Sequence, residues 1–125
     1  MIALLRRQTM RALILALVLT LAAAPAFALT VIPPEDCAKH LGETVTIEGT
    51  VSEVHHAASG RATFIDMGGR YPNNTFAAVI FKDDADKFPN VDTLTGKVID
   101  ITGRVKDYKG SCEIIVNDPE QLKVK

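Results

Sequence analysis

The sequence has few of the residues from which catalytic and metal-binding sites are usually built. Among its 125 residues are two cysteines and three histidines. His55 and His56 are adjacent, but neighbouring side chains of an extended chain point in opposite directions, and no second cluster with metal-ligand spacing accompanies them. The hydroxyl side chains have no evident base partner. These shortages argue against an enzyme, a metal site or a bound cofactor.

Long apolar runs are also scarce, and the one present lies at the N terminus. Arginines at positions 6, 7 and 11 precede an apolar run over residues 12–24, which leads to Ala26-Phe27-Ala28. A basic start, a short apolar stretch and a small-x-small end predict a secretory signal peptide over residues 1–28, cleaved after Ala28. An uncleaved membrane anchor is the alternative. No cysteine ends the run, so a lipid anchor is not supported.

An excess of positive charge is lacking in the remaining chain. Residues 1–28 contain three of the 14 basic residues and none of the 15 acidic ones, so residues 29–125 have 11 basic and 15 acidic residues and a net charge of −4. Such a chain has room for one domain. Because nucleic acids are bound largely by neutralising phosphates, this domain can bind them only through a local basic patch. We expect a periplasmic or secreted domain with no membrane contact after cleavage.

Two cysteines in an exported chain predict a disulfide between Cys37 and Cys112. The bridge would close a long loop and stabilise so small a domain by on the order of 4 kcal/mol in the chain-entropy model. Two buried free thiols are the alternative.

Alternating apolar residues predict an all-β domain with small helices added. The alternation slips between Val51 and Val54, which indicates a bulge in a long first strand. Residues 29–34 are expected to be a lead-in outside the sheet, because Pro33 and Pro34 cannot pair. The predicted strands are residues 44–52, 63–67, 75–81, 98–105 and 112–116, and the predicted short helices are residues 35–41 and 82–88.

Glycine occurs in the middle of two predicted strands. Gly49 and Gly103 occupy equivalent places in a pattern that repeats at an offset of 54 residues. A mid-strand glycine weakens a strand, so we interpret both as sharp bends in a small, strongly coiled sheet. Five such strands fit a closed barrel.

The order of long bent strand, hairpin, short helix and final hairpin resembles the OB fold, a five-stranded Greek-key barrel. At residue level, residues 38–122 resemble a small bacterial family of nucleic-acid-binding-like OB domains found in exported proteins, sometimes beside nuclease-like domains. The motifs that carry the resemblance are Gly42-Glu43-x-Val45-x-Ile47-x-Gly49-x-Val51, Thr63-Phe64-Ile65-Asp66-Met67-Gly68-Gly69-x-Tyr71-Pro72 and Tyr108-Lys109-Gly110-Ser111-Cys112-Glu113-Ile114.

The resemblance has two consequences for the cysteines. Cys112 stands where the family has a proline before the glutamate. In an OB barrel the start of the first strand lies beside the end of the fourth, which implies that Cys37 and Cys112 come close together.

The resemblance also implies a ligand face, since OB folds bind ligands across the second and third strands between the one-two and four-five loops. Basic groups interleaved with aromatic rings suit single-stranded nucleic acid. Alternatively, the tyrosines are turn residues over the barrel ends and the basic groups an ordinary solvated surface, with Phe64 and Phe76 in the core or covering the sheet. The predicted ligand-binding residues are Arg61 from the one-two loop, which also contains His55 and His56; Arg70 and Tyr71 from the central turn; and Lys106, Tyr108 and Lys109 from the four-five loop.

Three functions fit this sequence. The resemblance favours a non-enzymatic exported module that binds single-stranded nucleic acid, or an oligonucleotide-like ligand, weakly. The acidic charge and the exported address favour an adaptor that binds another exported protein through the same face. Binding of a small molecule or carbohydrate is compatible with the fold but has no support from particular residues.

Overall fold

The computed structural model describes residues 29–125, so the predicted signal peptide over residues 1–28 lies outside the described residues. Within the described part, no helix is both long enough and apolar enough to cross a membrane. The strands are β1 (Val31–Ile32), β2 (Thr44–His56), β3 (Ala62–Met67), β4 (Phe76–Phe81), β5 (Val98–Tyr108), β6 (Ser111–Ile115) and β7 (Leu122–Val124), and the 3-10 helices are Pro34–His40, Lys82–Lys87, Val91–Thr93 and Pro119–Gln121.

The long strand β2 takes part in both halves of the sheet. From Thr44 to Thr50 it pairs antiparallel with β5, and from Val51 onwards it pairs antiparallel with β3. The register shifts between Val51 and Glu53, at the place where the sequence predicted a bulge. A bulge bends a strand and increases its twist, and here it turns β2 from one partner to the other. The predicted bulge is confirmed.

Strand β6 closes the barrel. It pairs antiparallel with β5 and parallel with β4, while β3 joins β4 to β2. The resulting ring, β2–β3–β4–β6–β5 and back to β2, has the order of a five-stranded Greek-key OB barrel. The predicted fold class is confirmed.

The core fills the inside of this ring because alternate residues of every strand point inward. One inward row contains Ile65, Ala78, Ile114 and Val105, which are paired across neighbouring strands and fully buried. Phe76, also predicted to lie in the core or to cover the sheet, is fully buried. The 3-10 turns between β4 and β5 add Phe88 and Leu94 from one end.

The mid-strand glycines let neighbouring atoms pack directly against the strand backbone. This explanation for glycine at these positions was not apparent from the sequence. A Cβ at Gly49 would lie 2.6 Å from Cγ of Pro34 and 3.0 Å from Sδ of Met67. A Cβ at Gly103 would lie 2.5 Å from Cγ2 of Ile114. Real Cβ atoms do not approach other atoms this closely, so any other residue at either position would displace its neighbours.

The disulfide between Cys37 and Cys112 is confirmed. Cys37 lies in the Pro34–His40 helix and Cys112 in β6, with Cα atoms 6.2 Å apart. Both residues are buried. The bridge ties the segment before the barrel to the strand that closes it.

Two expectations about the strands were wrong. Residues 29–34 are not a lead-in outside the sheet, because β1 pairs in parallel with Thr46 and Ile47 before the two prolines begin. The chain adds another short strand, β7, which pairs with β5. The two predicted short helices are confirmed at Pro34–His40 and Lys82–Lys87, and both are 3-10 helices, since short turns beside proline and aspartate do not extend into regular α-helix.

Two predicted loops are shorter than expected, because their residues continue the strands. His55 and His56 belong to β2, and Lys106 and Tyr108 belong to β5. Lys109 and Gly110 alone form the tip of the β5–β6 hairpin, with φ values of 51° and 85°. Two residues with positive φ match the twist of the flanking strands, which favours this tight turn.

Candidate functional site

The candidate site lies on the outer surface of β2, β3, β4, β6 and β5. Residues opposite each other in neighbouring strands share one face of a sheet. His55 pairs with Phe64, and Phe64 pairs with Val79. In the adjacent row Asp66 pairs with Ala77, which pairs with Glu113, and Glu113 pairs with Lys106. The outer face therefore combines aromatic, apolar and charged side chains.

A groove of about 320 Å³ occupies the part of this face next to the β2–β3 turn, with His55, Phe64 and Tyr71 in its lining. The imidazole of His55 stacks on Phe64 with ring centroids 4.9 Å apart and planes 15° apart. Tyr71, which is 68% exposed, contacts the same imidazole with centroids 5.4 Å apart. Three rings thus line one groove, and the tyrosine is open to solvent.

A buried carboxylate lies beneath these rings. Asp66 is 1% exposed, and its Oδ1 accepts a hydrogen bond of 3.2 Å from Nδ2 of Asn74. Its Oδ2 lies 3.0 Å from Nε2 of His55. That contact is short but not aligned as a hydrogen bond, so both buried atoms lack a hydrogen-bond partner among the described residues.

The surroundings of Asp66 favour its protonated form. Burial raises the pKa of Asp66 from 3.8 to about 6. His55 and the backbone N–H of Tyr71 oppose this rise, whereas the negative charge of Glu53 adds to it. A buried titratable group with a shifted pKa beside an open groove is typical of functional sites.

A second groove, of about 210 Å³, adjoins the first because Phe64 lines both. Its lining also includes Phe81, Lys106, Tyr108 and Glu113. Phe81 and Tyr108 are each about half exposed. Nζ of Lys106 lies 3.8 Å from Oε1 of Glu113, and burial raises the pKa of Glu113 while Lys106 opposes that rise.

The structure places three of the six predicted ligand-binding residues in the lining of this double groove and a fourth beside it. Tyr71 lies on the first part, and Lys106 and Tyr108 lie on the second. Lys109 joins them through its Nζ, which lies 5.3 Å from the ring centroid of Tyr108.

The other two predicted residues, Arg61 and Arg70, are exposed in the turns that flank β3, and neither lines either groove in the described chain. Their contact with a ligand stays a prediction.

Sequence reasoning did not select the centre of the site. Phe64 was interpreted as core or sheet cover, whereas it is half-buried on the outer face and lines both grooves. Asp66 and Glu113 were not selected at all. The available signal was a single acidic residue inside each of two apolar strands, because a carboxylate within an apolar run needs a particular partner.

The two adjacent histidines point to opposite sides of β2, as the sequence predicted. His55 faces Asp66, while Nδ1 of His56 lies 2.9 Å from Oγ1 of Thr63 and its Nε2 lies 2.7 Å from Oδ1 of Asp92. Within residues 29–125, no three His, Cys, Asp or Glu side chains come together in a way that could hold a metal ion.

Comparison with known proteins finds no family model that matches this chain and no matching curated protein. Solved structures do match it. The aspartyl-tRNA synthetase from Entamoeba histolytica aligns with a TM-score of 0.55 and 22% identity, over 77% of this chain and 21% of that one. The chain thus spans about a fifth of the length of that synthetase.

Two smaller proteins match over most of their own length. The OB domain of MM0293 from Methanosarcina mazei aligns with a TM-score of 0.54 and 12% identity, over 79% of this chain and 84% of that one. OBody AM1L10, solved bound to hen egg-white lysozyme, aligns with a TM-score of 0.57 and 16% identity, over 81% of this chain and 98% of that one. These likenesses agree with the strand order: residues 29–125 have an OB fold.

Proposed function

We propose that residues 29–125 form an exported, non-enzymatic OB module that binds single-stranded nucleic acid, or an oligonucleotide-like ligand, weakly on its outer face. One observation carries the proposal: two adjoining grooves share Phe64 and place Tyr71 at one end and Tyr108 with Lys106 at the other. Exposed rings can stack on successive bases, and lysines can contact the phosphates between them.

The balance of charges supports weak rather than tight binding. The face offers Lys106 and Lys109, but Lys106 is already close to Glu113 and Asp66 is buried beneath the other groove. Few phosphates can therefore be neutralised at once, and each contributes to the salt dependence of affinity. The similarity to about a fifth of an aspartyl-tRNA synthetase is compatible with such a ligand.

An adaptor is the second candidate function. In it, the same face would bind another exported protein. OBody AM1L10 has this fold and was solved bound to lysozyme, so an OB domain is able to bind a protein. The net charge of −4 over residues 29–125 also favours a partner other than nucleic acid.

Export is part of the proposal. The disulfide supports it, because such bridges form and persist in oxidising compartments outside the cytosol. We assign the protein to the periplasm or the secreted fraction, with residues 1–28 as its cleaved signal peptide.

A titration of the purified protein with a single-stranded thymidine oligonucleotide at several salt concentrations tests the function. If phosphates are bound, log affinity falls linearly with log salt, with a slope of about −0.7 for each phosphate contact. A double variant, K106A/K109A, should show a smaller slope than a K125A control, because Lys125 lies near Glu48 and Asp100, away from the grooves. Absence of salt-dependent binding by the wild type would leave the adaptor as the better explanation.

A further inference from the structure

We propose that His55, held against the buried side chain of Asp66, binds one phosphate group of the ligand, and that this contact strengthens as the solution becomes acidic. This inference rests on the proposed function, because it assigns a ligand group and a pH dependence to the same face. It adds a positively charged contact at the end of the double groove that lacks lysine.

The position of His55 suits it for this contact. Its ring is held by Phe64, at 4.9 Å and nearly parallel, and by Tyr71, at 5.4 Å. The side chain is 26% exposed and forms part of the groove lining. A ring already fixed by packing loses little conformational freedom when it binds a ligand.

The two nitrogens of this imidazole differ in their surroundings. Nε2 is buried against Asp66, 3.0 Å from its Oδ2. Nδ1 forms no hydrogen bond with another of the described residues. Because a protonated imidazole donates from both nitrogens, Nδ1 is the donor that remains for a ligand in the groove.

Asp66 gives the pair its dependence on pH. The charged groups that face it are His55 and Glu53, both on β2, while Asn74 and the backbone of Tyr71 approach from the turn and Ala77 of β4 is uncharged. With Asp66 ionised and His55 neutral, the pair carries one negative charge, which repels phosphate. Each proton bound removes one negative charge or adds one positive charge, and burial places the pKa of Asp66 at about 6.

The other two histidines differ from His55, and His40 provides a control. Both nitrogens of His56 already contact Thr63 and Asp92, on the opposite side of β2. Nδ1 of His40 lies 3.0 Å from Oε2 of Glu43, at the end of the Pro34–His40 helix. His40 thus forms a histidine–carboxylate pair that is exposed and outside the grooves.

The test is the affinity for a thymidine oligonucleotide at about pH 5.5 and about pH 8, at one salt concentration. Neither the phosphodiesters nor the thymines change charge between these values. We expect the wild type to bind about tenfold more tightly at the lower pH, as for one charge-assisted hydrogen bond. The double variant H55Q/D66N should lose most of this difference in affinity between the two pH values. H40Q should keep the difference, and it controls for the loss of a titratable histidine elsewhere on the protein.

A second measurement uses the wild type alone and so does not depend on the variants folding. The ring resonances of His55 are followed by NMR through a pH titration with and without the oligonucleotide, and H55Q assigns them. We expect the oligonucleotide to shift these resonances more at about pH 5.5 than at about pH 8, because the ligand prefers the protonated ring.

The results separate the inference from the function on which it rests. Salt-dependent binding with the same pH ratio in the wild type, H40Q and H55Q/D66N, or a His55 titration that the oligonucleotide leaves unchanged, would overturn the inference and leave the function standing. Absence of salt-dependent binding at both pH values would overturn both.

Discussion

Oδ2 of Asp66 and Nε2 of His55 lie 3.0 Å apart on the outer face of the barrel, where Asp66 is only 1% exposed. The two groups come from neighbouring strands, and the turn that contains Tyr71 and Asn74 helps to bury the carboxylate. A carboxylate removed from water in this way opposes folding when it is ionised. The arrangement therefore has consequences for stability that can be measured without knowing the ligand.

We expect D66N to stabilise the protein at neutral pH. The pKa of Asp66 is raised from 3.8 to about 6 in the folded state, so the folded protein binds the proton more tightly than the unfolded chain. The stabilisation from this tighter proton binding is thus full below pH 3.8 and is lost as the pH rises through about 6. At pH 7 the ionised, buried carboxylate lowers the free energy of unfolding by on the order of 3 kcal/mol relative to acidic pH. Asparagine avoids this cost and can still accept the hydrogen bond from Asn74.

Thermal unfolding of both proteins across a pH series checks this. D66N should have a higher melting temperature than the wild type at pH 7. The melting temperatures of the two proteins should converge as the pH approaches 4, where the buried Asp66 of the wild type is uncharged, like the asparagine of the variant. D92N is the control, because Asp92 is exposed and also contacts a histidine. A lower melting temperature for D66N at neutral pH would contradict the expectation.

Reduction of the Cys37–Cys112 bridge should destabilise the fold. The bridge spans 75 residues, for which the chain-entropy model gives about 4 kcal/mol. The melting temperature should therefore fall when a reductant is added. C37A/C112A should melt lower than the oxidised wild type and be insensitive to the reductant, and finding two free thiols in folded, exported protein would rule out the bridge.

The aromatic and basic residues of the site should affect nucleic-acid binding differently. Y71A or Y108A should each lose about 1–3 kcal/mol of binding free energy at every salt concentration, as expected for lost stacking. K109A should also make the salt slope shallower by about 0.7, and so should R61A if Arg61 contacts a phosphate. Titrations at several salt concentrations separate the two effects. If none of these variants differs from wild type, the face is not the binding site.

The mature protein should begin at Leu29. Signal peptidase cleaves after a small-x-small sequence, here Ala26-Phe27-Ala28. The intact mass of protein from the exported fraction should equal that of residues 29–125 with one disulfide. A mass that retains residues 1–28 would favour the uncleaved membrane anchor.

The sequence predicted the barrel because its strands follow simple rules of alternation. The slip between Val51 and Val54 marked the bulge, and the resemblance to an OB barrel implied that Cys37 and Cys112 lie close together. Strands as short as β1 and β7 gave no such signal: two or three residues are too few to show a period, and their pairing depends on neighbours distant in sequence.

The candidate site was only partly predictable for a different reason. Tyr71, Tyr108 and the lysines were selected because they are polar or aromatic residues in or beside turns. Phe64 and Asp66 lie in a strand with apolar residues at both odd and even positions, so alternation could not tell the core face from the outer face. Their exposure is decided by the turn over Asp66 and by the lack of a covering layer over Phe64.

The parallel contact between β4 and β6 is the weakest join in the barrel. It has three paired positions, from Ala77 with Glu113 to Val79 with Ile115, whereas β2 and β5 share seven. Transient opening should therefore begin there, and the amide of Val116, which donates to Val79, should exchange with solvent faster than those between β2 and β5. The second groove crosses this join, with Val79 on one side and Glu113 on the other. A ligand bound there would hold β4 and β6 together, and slower hydrogen exchange at Val116 would report its binding.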